Sequence, residues 1–141
     1  MNNWGFASFF SRLSLGIFVG MIGVQKVFVI GASNHAQNFF INGFKDHWIP
    51  EWLLLLLGYS IPYVELICGV LIFIGFWVRL NTIIIGFLLL IVAYGHMLQD
   101  AFYDPTSHWL PRFMLMIAVL LLYNSQDKWS LEHLIRKQKS S

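Results

Sequence analysis

Residues 80–98 read LNTIIIGFLLLIVAYGHML and contain no Asp, Glu, Lys or Arg. A helix needs about 20 predominantly apolar residues to cross the hydrocarbon core of a bilayer. The other structure that can span a membrane is a closed β-barrel, whose strands alternate polar and apolar residues. The run IIIGFLLLIV does not alternate. The stretch therefore predicts a transmembrane helix and an all-α fold.

Three further stretches have the same apolar character, at residues 6–30, 52–78 and 109–126. The last is the shortest, because its apolar part runs only from Trp109 to Tyr123, and we expect it to extend at both ends. Residues 1–141 are therefore predicted to form a single domain, an integral membrane four-helix bundle. Pro62 lies inside the second helix and predicts a bend near Gly58, with a neighbour bonding the freed carbonyl.

Two segments outside these helices have their own patterns. Residues 31–51 are predicted to be a long aromatic loop that lies back on the bundle or in the headgroup layer. Residues 127–141 form the tail, with Leu131, Leu134 and Ile135 at helical spacing among basic residues. That pattern is typical of an amphipathic helix on a membrane surface.

Composition excludes several classes of protein. The chain is 57% hydrophobic and 11% charged, whereas soluble domains are about 25% charged. The net charge of +2 is small and spread out, so nucleic acid is not an expected partner. Cys68 is the only cysteine, so the chain has no pair for disulfide exchange. His96 is the only histidine in a predicted helix, so neither a haem nor a metal site is expected.

Lysine and arginine predict the orientation, because cytoplasmic loops are enriched in both. The tail has four of these residues, and Arg12 and Arg79 lie at the same predicted end. The opposite side has Lys45 alone. Both termini are therefore predicted to be cytoplasmic, and residues 31–51 and 99–108 to face the periplasm or the exterior.

Each predicted helix also carries one ionisable residue deep in the membrane, where charge is costly and usually functional. Arg12 and Arg79 mark the cytoplasmic interface, and a helix rises about 1.5 Å per residue. Counted from these markers, and from residue 126 for the last helix, the ionisable residue of each helix lies roughly 21 to 25 Å from the cytoplasmic interface, toward the outer side of the membrane. This polar layer, in the outer half of the bilayer, consists of Lys26, Glu65, His96 and Arg112.

Three interpretations of the polar layer stay open. Lys26 and Arg112 could both pair with Glu65, so the layer could be a plug that holds the helices in register. It could instead be a site for a polar headgroup, such as a quinone carbonyl or an anion. A proton path through Glu65 and His96 is the third.

The first two predicted helices and the loop between them contain a series of short motifs: Arg12-x-x-Leu15-Gly16, Gly23-x-x-Lys26, Gly43-Phe44, Pro50, Pro62-x-x-Glu65-x-x-x-Gly69 and Gly75-x-x-x-Arg79. In order and spacing these motifs resemble the DoxX family of small four-helix membrane proteins. Arg12, Lys26, Glu65 and Arg79 occupy family-like positions.

The resemblance implies a multi-pass subunit in the bacterial cytoplasmic (inner) membrane, because the family includes a subunit linked to thiosulfate:quinone oxidoreductase. Its expected partners are membrane lipid, other membrane or redox subunits and a second copy of the chain. Quinone is the expected ligand, with no covalently bound cofactor. The chain would be at most a membrane subunit of a quinone-linked oxidoreductase. The alternatives are a non-enzymatic scaffold, assembly or accessory subunit and, third, a small transporter.

Overall fold

The computed structural model describes residues 3–100, 109–123 and 127–139, and every regular element among them is helical. Helix α1 continues into a π-helical segment, and the short helix α2 continues into a second one. The elements are α1 (Asn3–Val24), the first π-helical segment (Gln25–Gly31), α2 (Ala32–His35), the second π-helical segment (Ala36–Ile41), α3 (Glu51–Ile74), α4 (Val78–Gln99), α5 (Trp109–Leu122) and α6 (Leu131–Lys139).

Three helical stretches are long and apolar enough to cross a membrane: Asn3–Ile41, Glu51–Ile74 and Val78–Gln99. Large apolar side chains point outward from them; Phe28, for example, is 72% exposed. Such a surface suits lipid better than water. Helix α5 is apolar but has only 14 residues. Residues 124–126, expected to extend it, and most of the predicted loop 99–108 lie outside the described residues.

The predicted loop at 31–51 is wrong over residues 32–41, which are helical. Gly31 has a φ of +85°, a conformation that side chains disfavour, and the chain changes direction there. The next residues then lie back on the bundle and bury His35 and Ala36. The polar residues of this stretch made it resemble a loop, whereas packing against α3 makes it a helix.

The boundary between the second and third helices also differs from the prediction. Helix α3 ends at Ile74 rather than 78, and α4 begins at Val78 rather than 80. Gly75 adopts the left-handed conformation and ends α3, with its N–H donating to the Ile72 carbonyl at 3.1 Å. The apolar run continues past this glycine, so hydropathy alone did not mark the end. Arg79 therefore lies in the first turn of α4, not in a loop.

Helices α1 and α3 cross with their backbones in contact. A Cβ atom on Gly69 would overlap the backbone of Gly20, and one on Gly23 would overlap the backbone of Leu66. Small residues permit such close approach between membrane helices. The crossing positions the ionisable residues nearby, because Glu65 precedes Leu66 and Lys26 lies one turn beyond Gly23.

Candidate functional site

Lys26 and Glu65 form an ion pair within the membrane-spanning part of the bundle. The Lys26 Nζ lies 2.7 Å from the Glu65 Oε2. The Glu65 residue is only 2% exposed, while the Lys26 side chain is 20% exposed. Arg112, half-buried on α5, acts electrostatically on the same carboxylate. The structure therefore places two cations of the polar layer, Lys26 in direct contact and Arg112 within electrostatic range, near the buried Glu65 carboxylate.

A cavity of about 390 Å³ lies beside this pair. Lys26 lines it, and so does His96, the fourth residue of the polar layer, which is exposed in the last turn of α4. Glu65 and Arg112 are not among the lining residues. Lys26 therefore links the buried ion pair to the cavity.

The cavity walls come from residues 26–49, the first half of α3 and the second half of α4. Most of the lining is aliphatic or aromatic, with a few polar side chains, as is typical of small-molecule sites. The lining residues are Lys26, Ile30, His35, Phe39, Phe40, Phe44, Trp48, Ile49, Leu53, Leu54, Leu57, Ile61, Ile91, Val92, Tyr94, Gly95, His96 and Gln99.

Pro62 helps to hold one wall of the cavity in place. Proline has no N–H, so the carbonyl of Gly58, four residues earlier, loses its helical partner. The His35 Nδ1 lies 2.9 Å from this oxygen and, since a carbonyl only accepts, donates to it. Ala36 packs against Gly58, where a Cβ atom would lie 2.7 Å from the Ala36 Cα. The segment after Gly31 is thus attached to α3 where the proline exposes a carbonyl.

A second buried ion pair lies near the other end of α1 and α3. The Arg12 Nε donates to the Asp127 Oδ2 at 2.6 Å, and these side chains are 1% and 0% exposed. The Arg12 guanidinium also donates to the carbonyls of Ile72, at 3.1 Å, and Phe73. The sequence predicts that Arg12 lies at the cytoplasmic interface, but it does not identify Asp127 as its partner. No local signal marks this aspartate, because it lies in a polar stretch between two helices.

The remaining titratable side chains do not form a metal centre in the part of the chain that the structure describes. No group of three or more His, Cys, Asp or Glu side chains there is placed to hold a metal ion. Cys68 is buried in the apolar core of the bundle. The cavity beside Lys26 is therefore the candidate site. Its walls are mainly apolar, and Lys26 is a cation and a hydrogen-bond donor among them.

Comparison with known proteins agrees with this architecture. The family model described as DoxX matches residues 7–98, from α1 to the end of α4. That range contains Lys26, Glu65 and every residue that lines the cavity except Gln99. No curated protein and no solved structure matches the chain. Because the family match covers more than half of the 141 residues, this multi-pass membrane protein belongs to the DoxX family.

Proposed function

We propose that this protein is a subunit of a redox complex in the bacterial cytoplasmic membrane and that its cavity binds the ring of a quinone. The observation that supports the proposal is the position of Lys26. Its ammonium lies 2.7 Å from the buried Glu65 carboxylate, and Lys26 is among the residues that line an apolar cavity of about 390 Å³.

The chemistry of a quinone matches this cavity. A quinone ring is flat and apolar, and its two carbonyl oxygens accept hydrogen bonds. An ammonium has three N–H donors, so Lys26 retains two after bonding Glu65. The Glu65 carboxylate fixes the position of the ammonium, and the aromatic side chains of Phe40 and Phe44 supply surfaces for the ring.

In this proposal the protein binds and orients the quinone, and a partner subunit exchanges electrons with it. The polar layer then serves as a headgroup site, and the ion pair also holds α1 and α3 in register. The headgroup interpretation is preferred to a proton path because Glu65 pairs with Lys26, and Lys26 and His96 both line the cavity.

The test is the quinone content of the protein after gentle extraction from native membranes. Val92→Phe places a ring in the cavity, while Leu90→Phe adds the same ring to an exposed position on the same helix. Overfilling a packed site costs about 1–3 kcal/mol, so we expect Val92→Phe to lower the retained quinone roughly tenfold. Leu90→Phe should retain the unmodified amount.

A second variant tests the ion pair itself. Glu65→Gln should lower thermal stability or the quinone-linked activity of the partner, because the partly buried Lys26 ammonium loses its counter-charge. If the extracted protein holds no quinone, and if Glu65→Gln changes neither property, the quinone proposal fails. A scaffold or accessory subunit then becomes the better interpretation.

A further inference from the structure

A second cleft, of about 610 Å³, lies between the beginning of α4 and the C-terminal helix α6. On one side it is lined by Trp77, Arg79 and Ile83, and on the other by Glu132 and Arg136. This cleft is near the Arg12–Asp127 pair and separate from the cavity beside Lys26, since the two share no lining residue.

The position of α6 is fixed by contacts that the segment before it makes with α1 and that its first turn makes with the turn between α3 and α4. Asp127 is buried against Arg12, and the Glu132 N–H donates to the Gly75 carbonyl at 3.0 Å. The Ser130 hydroxyl accepts from the His133 N–H at 3.2 Å and caps the first turn of α6. The cleft is therefore a defined feature of the fold rather than the chance placement of a surface helix.

The charges in this cleft do not balance. The Glu132 carboxylate already accepts from Arg136 at 2.8 Å and from the Tyr123 hydroxyl at 3.0 Å. No carboxylate among the described residues forms an ion pair with Arg79. The cleft thus carries an excess positive charge.

Exposed apolar side chains follow Arg79 along the α4 side of the cleft. Along α4, Ile83 follows Arg79 by four residues, which is about 6 Å further into the bundle. Leu80 and Ile83 are 51% and 39% exposed, so both present apolar surface. Trp77 is 58% exposed beside Arg79, a position typical of tryptophan at the headgroup level.

We propose that this cleft binds one anionic phospholipid, whose phosphate contacts Arg79 and Arg136 and whose acyl chain packs on Leu80 and Ile83. Basic residues next to the hydrocarbon region attract anionic headgroups. Inorganic phosphate offers the same charged oxygens, but it has no acyl chain for the apolar part of the cleft. The proposal concerns a surface that does not include Lys26 and is independent of quinone binding.

The experiment uses the full chain, purified in micelles of an uncharged detergent. Thermal unfolding is measured with added phosphatidylglycerol, phosphatidylcholine or inorganic phosphate. We expect only phosphatidylglycerol to raise the unfolding temperature, because it alone combines a negative charge with acyl chains. If phosphatidylcholine raises it as much, charge does not select the ligand and the proposal is overturned.

Two variants with the same change of charge locate the effect. Removing one basic residue near a membrane surface weakens anionic lipid binding about fivefold, so Arg79→Gln should need about fivefold more phosphatidylglycerol for the same shift. Lys128→Gln is the matched control, since Lys128 is exposed on the tail but does not line the cleft. Equal responses of the two variants would overturn the site, as would an effect of inorganic phosphate equal to that of the lipid.

Discussion

The first helix and its π-helical continuation contain two cations, and each forms an ion pair with a carboxylate. Lys26 meets Glu65 on the neighbouring helix α3, whereas Arg12 meets Asp127, which is 115 positions away in the sequence. Arg12 also bonds carbonyls in the last turn of α3, where the helix dipole favours a positive charge. At the residue scale, Arg12 therefore joins α1, the end of α3 and the tail.

Asp127→Asn tests this role of Arg12. The substitution removes the counter-charge of a guanidinium that is 1% exposed, and breaking a buried pair in this way costs about 3–5 kcal/mol. We expect the free energy of unfolding, measured in detergent, to fall by roughly that amount. The tail should also become more sensitive to trypsin, because its attachment is lost.

The matched control is Asp46→Asn, at an exposed aspartate that forms no ion pair with any described residue. Surface substitutions of this kind usually change stability by less than about 0.5 kcal/mol. Similar losses in both variants would show that Arg12 does not depend on Asp127.

At the scale of elements, helix α3 and the segment after Gly31 depend on each other. The sequence predicts the bend at Pro62 and a neighbour that bonds the freed carbonyl. It does not identify that neighbour, because residues 31–51 are predicted to be a loop. The structure shows that His35 bonds the Gly58 carbonyl at 2.9 Å. The proline thus provides an attachment point for the segment that closes one side of the candidate site.

A double-mutant cycle measures this dependence. His35→Leu leaves the buried Gly58 carbonyl without a partner, which costs about 1–3 kcal/mol of unfolding free energy. In a Pro62→Ala background the new backbone N–H at position 62 can bond that carbonyl, so the same histidine substitution should cost less. Additive effects, measured by unfolding in detergent, would contradict the link between the two residues.

At the scale of the whole molecule, the two ends of the bundle differ in chemistry. One end carries Arg79, the Arg12–Asp127 pair and the basic tail, and the other carries the cavity beside Lys26. Because cytoplasmic segments are enriched in Lys and Arg, the end with the tail is predicted to be cytoplasmic. The lipid cleft and the cavity would then lie toward opposite leaflets.

Single cysteines test this orientation in intact cells with a membrane-impermeant maleimide. Lys45→Cys and Lys128→Cys both occupy exposed positions, and the native Cys68 is buried and can be replaced by alanine. We expect labelling at position 45 in intact cells and at position 128 only after the cells are permeabilised. The reverse pattern would show that the termini face outward.

Much of the candidate site could be predicted from particular residues. Lys26 and Glu65 were expected to share a depth, because the rise of a helix is constant and Arg12 and Arg79 supply reference points. The presence of Arg112 near the same acid follows from the same count. The cavity could not be predicted, because His35 and Phe44 form part of its walls. Both belong to residues 31–51, which the sequence predicts to be a loop and which fold onto the bundle by packing against α3.

The sequence by itself determined that the chain is a helical membrane protein, because hydropathy and backbone hydrogen bonding act between residues close together in the chain. It also predicts which side chains lie deep in the bilayer. Only the tertiary structure decided the partners: Asp127 for Arg12, His35 for the Gly58 carbonyl, and the Gly75 carbonyl for the first turn of α6. These contacts join residues far apart in sequence. They depend on how the helices cross and where the chain folds back, and no local pattern encodes either.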